Sequence, residues 1–473
     1  MLVGIATFPL LARNLDISDY GLLGLMTTSA TLLVAFGKLG LQHAILRFYP
    51  LAQSGGDGID LDSLHTTAYL LFATLTVLSL AAWLVGGWFI VPMWLSNPQI
   101  PGYFTILAIF VIVRMAGSVT GSMLRSLEYS RALGVSLMAG RVAYLVLLYA
   151  MGLAYGFSIA FVLVVTVLAE CFAVCLSFWA YRDHARIKLS SFQFPLAGNL
   201  LMFGLPLMMM EALGLLIRLI DRYMIGSFLG EFELGQFAAS SSLIIYAELI
   251  IIGTIAAVVK PRYNKLWVRV GRTSTVAFLE KGAEIYLLLG IPVAGLFVLV
   301  APDLLVVLAG FRYWEGTRVL PYFAVIVLID GLLIFLLAGL HLMNNTRMFV
   351  LWGVIAVILN LAGNYVLIPR FGLQGAAAAT LLAHLVLTAG LLAVAVRWLH
   401  IKISTRYIPL VLLSTLPVVF LLMLLPLQPG LLAGIVKFCL AVPVLMGLPL
   451  MLSATTRHWV FSLNWLLKHN REM

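Results

Sequence analysis

Charged side chains interrupt several long apolar runs of this sequence, and they are the residues whose types could do chemistry. The run from 198 to 224 contains Glu211, Arg218, Asp221 and Arg222. At about 100° per residue, Glu211, Arg218 and Arg222 fall within about 20° of one helix azimuth, and Asp221 lies about 80° away. Arginine presents a planar, permanently charged fork that suits a diphosphate. This stripe is therefore a candidate substrate-binding surface. The alternative is an internal pairing that only stabilises helix packing.

Two further arginines lie deep in apolar runs. Arg114 falls within the run 102–124, and Arg141 falls near the middle of the run 132–154. A charged side chain at the centre of a bilayer costs about 2.5–3.5 kcal/mol on insertion scales, so such residues are treated as functional hypotheses. We expect Arg114 and Arg141 to contact the same substrate as the stripe.

Three acids, Glu170, Glu248 and Asp330, lie near the middle of other apolar runs. Carboxylates in such places bind a coupling proton or Na⁺, or they pair with arginines on neighbouring helices. Asp330 has no basic neighbour one turn away, which makes it the strongest candidate for a protonatable group. Asn360 and Asn364 share a helix face, and we expect them to form interhelical hydrogen bonds.

The composition shows what kind of protein must position these residues. Of the 473 residues, 63% are hydrophobic and only 10% are charged, whereas soluble domains carry about 25% charged residues. Lipid must therefore be the solvent for much of the surface. There is no P-loop signature and no clustered Cys or His motif, so no ATP site, metal or other cofactor is expected.

Apolar runs separated by polar, Gly or Pro breaks predict an all-α polytopic membrane protein with about fourteen transmembrane helices. The first run is too short to span, so we expect the sequence to begin inside a helix. The predicted spans are 1–12, 20–40, 66–92, 102–124, 132–154, 157–180, 198–224, 235–259, 283–309, 317–341, 347–368, 373–399, 406–426 and 430–452.

The distribution of basic residues orients these spans. With both termini in the cytoplasm, twenty of the 29 Lys and Arg residues fall in inner loops and the tail, and only Arg13, Arg312, Arg318 and Arg370 fall in outer loops. Cytoplasmic loops are enriched in Lys and Arg, so this asymmetry supports the span map. It also accounts for the net charge of +10 without a nucleic-acid partner.

An internal repeat divides the spans into two halves. Leu15 to Gly21 resembles Leu229 to Gly235 at an offset of 214 residues, and the segment beginning at Arg131 resembles the one beginning at Arg347 at an offset of 216. Six spans in each half insert the same way up, which predicts two parallel six-helix lobes with the substrate site between them. The predicted division is 1–190, 191–402 and a segment 403–473 that holds two extra helices and a cytoplasmic tail.

Several short motifs resemble those of bacterial oligosaccharide flippases, the Wzx-type polysaccharide biosynthesis proteins. They include Ala12 to Gly21, Leu41 to Phe48, Phe203 to Pro206, Asp221 to Gly226, and Asn360 to Ala377, in the family's order along the chain. This family belongs to the superfamily of multidrug, oligosaccharidyl-lipid and polysaccharide transporters, which shares the two-lobed fold of MATE exporters.

The resemblance implies a non-enzymatic protein of the bacterial inner membrane. Its cargo would be an undecaprenyl-diphosphate-linked oligosaccharide, turned from the inner to the outer leaflet by alternating access, and its partners would be membrane lipids and other polysaccharide assembly proteins. A cationic cleft suits a headgroup with two phosphates. The alternatives are a MATE-like exporter of small organic ions and a lipid II flippase of the same superfamily. A membrane glycosyltransferase would need a larger extramembrane loop than any predicted here.

Overall fold

A computed structural model describes residues 2–55, 58–95, 97–184, 188–342, 347–403 and 407–452. Long apolar segments bounded by Gly, Pro and polar residues form helices, because a helix satisfies its own backbone hydrogen bonds where no water is present. The α-helices are α1 (Leu2–Asn14), α2 (Ile17–Gly37), α3 (Leu41–Gln53), α4 (Leu61–Val85), α5 (Ile100–Ser126), α6 (Ser130–Tyr155), α7 (Ile159–Tyr181), α8 (Phe194–Phe228), α9 (Glu231–Arg269), α10 (Arg272–Ala309), α11 (Leu320–Leu342), α12 (Arg347–Leu399), α13 (Ile408–Met423) and α14 (Leu431–Leu452).

The predicted class, an all-α polytopic membrane protein, is confirmed. Within the described ranges, ten helical segments are long and apolar enough to cross a bilayer, and two shorter apolar helices follow them. Each predicted span falls on a helix. The predicted number of fourteen transmembrane helices is only approximate, for two reasons. The first span is the 13-residue α1, and the eleventh and twelfth lie in the single 53-residue segment α12, which turns at Gly372 with φ 58°. The predicted cytoplasmic tail after residue 452 lies outside the described residues.

A sharp turn between α2 and α3 was not expected from the apolar pattern. Leu39 and Gly40 take positive φ angles of 44° and 73°, and α3 then leaves along a new direction. Gly40 lies directly against Gly204 of α8, where a Cβ on either glycine would overlap the other's backbone. Glycine is required on both sides of this contact, which brings the end of α2 beside the middle of α8.

The two glycines that end the first repeat motif also meet. A Cβ built on Gly21 of α2 would lie 2.5 Å from the backbone nitrogen of Gly235 in α9, and one built on Gly235 would overlap the carbonyl of Ile17. Glycine at both positions therefore lets α2 and α9 approach closely.

Contacts divide the chain into two compact units, one formed by 1–238 with 360–372 and the other by 239–359 with 373–473. In the first, α5 packs on α7, and α8 packs on α2 and α3. In the second, α10 packs on α11, α13 and α14, with a buried core of Leu299, Val419, Ala441 and Leu445. The lobe boundaries predicted at 190 and 402 follow the repeat and stay a prediction.

Candidate functional site

The charged stripe of α8 is divided between two environments. Near the middle of α8, Glu211 accepts hydrogen bonds from Lys38 Nζ at 3.3 Å and from Gln42 Nε2 at 3.0 Å. The ring of His43 is 3.9 Å from the same carboxylate. These three residues flank the turn that Gly40 makes against Gly204, so the close backbone approach positions them. The Glu211 carboxylate is thus held by α2 and α3.

Further along α8, Arg222 is buried, with 7% of its surface exposed. Its guanidinium lies against Gly24 of α2, where a Cβ would come within 2.7 Å of Arg222 Nη1. Tyr20, Arg218 and Asp221 are close enough to act on its charge. Arg218, one turn earlier, is partly buried. The two arginines of the predicted stripe therefore lie together in the first unit, on the side of α8 that meets α2.

Asp221, which lies off the stripe, is bound by the two asparagines of α12. Asn360 Nδ2 and Asn364 Nδ2 both donate to Asp221 Oδ1, at 2.9 Å and 2.7 Å, and all three residues are at most 2% exposed. The expected interhelical hydrogen bonding by Asn360 and Asn364 is confirmed. Two amide donors stabilise the charged form of a carboxylate that is otherwise costly to bury.

Two residues to which the sequence assigned different roles form one ion pair. Arg114 Nη1 of α5 donates to Glu170 Oε1 of α7 at 2.9 Å, and the guanidinium also lies 5.7 Å from the ring centroid of Phe110. The Arg114 side chain remains 41% exposed, so the pairing leaves part of the guanidinium accessible to a ligand. The structure therefore brings together one predicted substrate contact and one predicted ion-coupling residue.

Arg141 and Glu248 lie elsewhere. Arg141 is exposed on α6, and among the described residues it forms neither an ion pair nor a hydrogen bond. Its charge is therefore available to an anionic ligand or lipid headgroup. Glu248 lies partly buried on α9 in the second unit.

Asp330 of α11 has a basic partner that its own helix does not supply. His384 Nδ1, on α12, lies 2.7 Å from Asp330 Oδ1, and both side chains are less than a fifth exposed. Tyr286 of α10 lies within electrostatic reach of Asp330. A carboxylate beside an imidazole is a pair of groups that can hold and pass on one proton.

One buried ion pair of the second unit was not predicted from the sequence. Asp303 of α10 is 1% exposed, and it accepts hydrogen bonds from Lys437 Nζ of α14 at 2.8 Å and from the Gly430 backbone N–H at 3.0 Å. Asp303 lies near the end of its apolar run, where an acid is ordinary in a sequence. The only available signal was Lys437, a lone cation in a terminal apolar helix that requires an anionic partner.

The described residues contain no cluster of three or more His, Cys, Asp or Glu side chains that could hold a metal ion. Their chemistry is ionic instead. In the first unit, Lys38, Arg218 and Arg222 carry three positive charges, against two negative charges on Glu211 and Asp221. Arg114 is offset by Glu170, and Arg141 adds one more positive charge, so these eight residues together carry a net charge of +2 within apolar helices.

Solved structures with similar folds are membrane transporters. Lipid II flippase MurJ in an inward closed conformation aligns with a TM-score of 0.75 and 14% identity, over 95% of this chain and 96% of that one. An inward-facing multidrug resistance MATE transporter of the MOP superfamily aligns with a TM-score of 0.71 and 16% identity, over 85% and 95%. A MOP superfamily transporter from Pyrococcus furiosus, described as having a binding pocket of reversed polarity, aligns at 0.59 and 14%, over 85% and 94%.

The sequence itself identifies the family. No curated protein sequence matches the chain significantly. The family model described as polysaccharide biosynthesis protein matches residues 10–317, which is well over half of the chain and includes the motifs from Ala12 to Gly226 that suggested the resemblance. This multi-pass membrane protein belongs to the polysaccharide biosynthesis protein family and has the fold of the MOP superfamily transporters.

Proposed function

We propose that this protein flips a lipid-diphosphate-linked oligosaccharide from the inner to the outer leaflet of the bacterial inner membrane, for export of a cell-surface polysaccharide. The carrier lipid would be undecaprenyl diphosphate, and the transport would proceed by alternating access. Membership of a polysaccharide biosynthesis family supports an oligosaccharide as the cargo. A fold shared with membrane transporters supports movement of that cargo across the bilayer. Other polysaccharide assembly proteins would supply and receive the cargo.

The observation that carries the proposal is the burial of Arg222 beside Arg218 in α8. A buried arginine is costly in an apolar environment unless anions compensate it. Arg218 and Arg222 carry two positive charges, and Asp221 beside them carries one negative charge. The positive excess that remains suits the two phosphates of a diphospholipid headgroup, which arginine forks bind in a bidentate manner. Arg114 and Arg141 would extend this cationic cleft, and Glu211 would hold its edge through Lys38 and Gln42.

For energy coupling we propose a proton at the Asp330–His384 pair. The carboxylate and imidazole lie 2.7 Å apart, within hydrogen-bonding distance, and histidine is the side chain type whose charge ordinarily changes in the physiological pH range. A Na⁺ site would instead need several converging oxygen ligands, as hard cations do. Glu170 is engaged by Arg114, so it is the weaker candidate. Glu248 remains a second candidate for the coupling ion.

Deletion of the gene tests the substrate. If the proposal holds, a diphospholipid-linked glycan accumulates in the inner leaflet and surface polysaccharide is lost. The lipid II alternative is favoured by the structural similarity to MurJ over 95% of the chain, and it would give accumulated lipid II and cell lysis. The exporter alternative is favoured by the similarity to MATE transporters, and it would give normal glycan export with increased sensitivity to small organic ions.

The orientation is tested by site-specific labelling. Both termini are proposed to be cytoplasmic, so a single cysteine replacing the exposed Val270, in the turn between α9 and α10, would be reached only from the inside. A cysteine replacing the exposed Phe311, in the turn after α10, would be reached only from the outside. The three native cysteines, Cys171, Cys175 and Cys439, would first be replaced by Ala. Labelling of both turns from the same side would contradict the proposed orientation.

A further inference from the structure

The second unit contains an apolar cavity that the transport proposal does not use. It has a volume of about 390 Å³ and lies among α9, α10 and α11. Its walls are almost entirely aliphatic and aromatic, and the residues from the three helices include Ile251, Ile255, Val293, Phe297, Val327 and Phe335. Binding sites for polar molecules carry a few converging polar groups that fix the ligand's orientation. These walls suit a hydrocarbon chain.

One end of the cavity is cationic. Among the lining residues, Arg262 is the only one with a charged side chain, and its guanidinium lies 5.8 Å from the ring centroid of Phe278, which also lines the cavity. Lys260, Lys265 and Arg269 lie close to Arg262 on the same helix α9. An apolar chamber with an arginine at one end is complementary to an amphiphile whose anionic head is joined to a hydrocarbon tail.

The cavity is long enough for an extended hydrocarbon tail. Its lining on α9 runs from Ala247 to Arg262, which is about 22 Å at 1.5 Å per residue. One leaflet of hydrocarbon is about 15 Å thick, half of the ~30 Å core. An anionic lipid with its head at Arg262 therefore has room to place one tail along this lining.

Two glycines of α10 preserve this space. A Cβ on Gly282 would come within 2.6 Å of the Phe335 ring, and one on Gly290 would come within 2.7 Å of the Leu328 side chain. Both neighbours line the cavity. Because these glycines have no side chains, Phe335 and Leu328 can pack close against α10 at the wall of the cavity.

We propose that this cavity binds part of the polyisoprenyl tail of a prenyl-diphosphate-linked lipid, with a phosphate near Arg262. The proposal rests on the proposed function for the identity of the lipid, and it adds a second place of attachment, separate from the arginines of α8. Binding of the tail inside the second unit would let the protein recognise a carrier by its tail as well as by its headgroup charge.

Photo-crosslinking in vesicles tests the proposal. The probes are a polyprenyl diphosphate with a photoreactive group in its tail and phosphatidylglycerol with the same group in an acyl chain. Ala294→Phe fills the cavity from α10 and Ala247→Phe fills it from α9, so the conclusion does not depend on the folding of one variant. Ala257→Phe is the matched control, because Ala257 is exposed on α9 and is not one of the lining residues.

We expect the polyprenyl probe to label α9 and α10 at least fivefold more than the phospholipid probe. Labelling should fall at least fivefold in both filled variants, and it should be unchanged in Ala257→Phe. Equal labelling by the two probes, or labelling that survives both filled variants, would overturn the tail site. The wild-type protein could show this preferential labelling by the polyprenyl probe and still fail to move diphospholipid-linked glycan. That result would contradict the proposed function but would still support the tail site.

Discussion

Arg222 of α8 lies against Gly24 of α2, so close that a single added methyl group would come within 2.7 Å of its guanidinium. Glycine at position 24 therefore holds open the space that a buried arginine needs. A charged side chain that is 7% exposed in an apolar helix is costly to maintain. This relationship links the packing of α2 on α8 to the charge that we propose the substrate recognises.

The first prediction concerns Gly24. Gly24→Ala should lower the translocation rate at least tenfold, because the new methyl group displaces the Arg222 guanidinium. Folding should be preserved, since the end of a flexible side chain can move aside. Gly214→Ala is the control, because a Cβ at Gly214 of α8 meets nothing within 4 Å. Translocation per folded molecule in vesicles is the measurement, and equal rates for the two variants would exclude this role for Arg222.

The second prediction separates two roles for Arg114. If Arg114 contacts the substrate, Arg114→Ala should abolish transport, and adding Glu170→Gln should not restore it. If Arg114 only neutralises Glu170, the double variant should recover wild-type transport, because the unpaired buried acid is gone. Transport by the single and double variants, compared at equal protein levels in the membrane, decides between them. Recovery in the double variant would remove Arg114 from the proposed cleft.

The third prediction concerns coupling. Asp330→Asn should make the translocation rate independent of an imposed proton gradient. The reason is that an amide beside His384 cannot take up the coupling proton that we propose binds there. The matched control is Glu315→Gln, which removes an acid that is 46% exposed and paired with Arg318. A gradient response that persists in Asp330→Asn would show that the proton, if one is used, binds elsewhere.

The fourth prediction concerns the attachment of α14. Lys437→Met should destabilise the protein by about 3–5 kcal/mol, because it leaves the buried Asp303 charge with only the Gly430 N–H. The double variant Asp303→Asn with Lys437→Met should recover most of this loss. Thermal unfolding in detergent measures both changes. A Lys437→Met variant as stable as the wild type would mean that the ion pair contributes nothing.

Hydropathy was sufficient to predict the helices, because a bilayer requires long apolar segments whatever their partners. Every predicted span corresponds to a helix, and the division into two repeated lobes stays a prediction. The turn at Leu39 and Gly40 was not predicted. Its cause is a tertiary contact with Gly204, and nothing in the local pattern around residue 40 indicates that contact.

The sequence did not predict which side chains on other helices pair with the charged residues. A helical sequence reveals neighbours three and four residues away, and by that criterion Asp330 had no base. Its partner His384 lies 54 residues further along the chain. The same limit applies to Asp221, which binds Asn360 and Asn364. The sequence identified the residue types that must be paired, and the packing of different helices determined the pairs.

The arginines of the first unit are proposed to bind the diphosphate of a lipid-linked glycan during its movement between leaflets. The most direct measurement is translocation of a prenyl-diphosphate-linked oligosaccharide in vesicles that contain only this protein. We expect the wild-type protein to move the glycan and Arg218→Ala to reduce the rate at least tenfold. Arg218→Lys should restore only part of the rate, because lysine lacks the planar fork of arginine. A rate for Arg218→Ala equal to that of the wild type would contradict the claim.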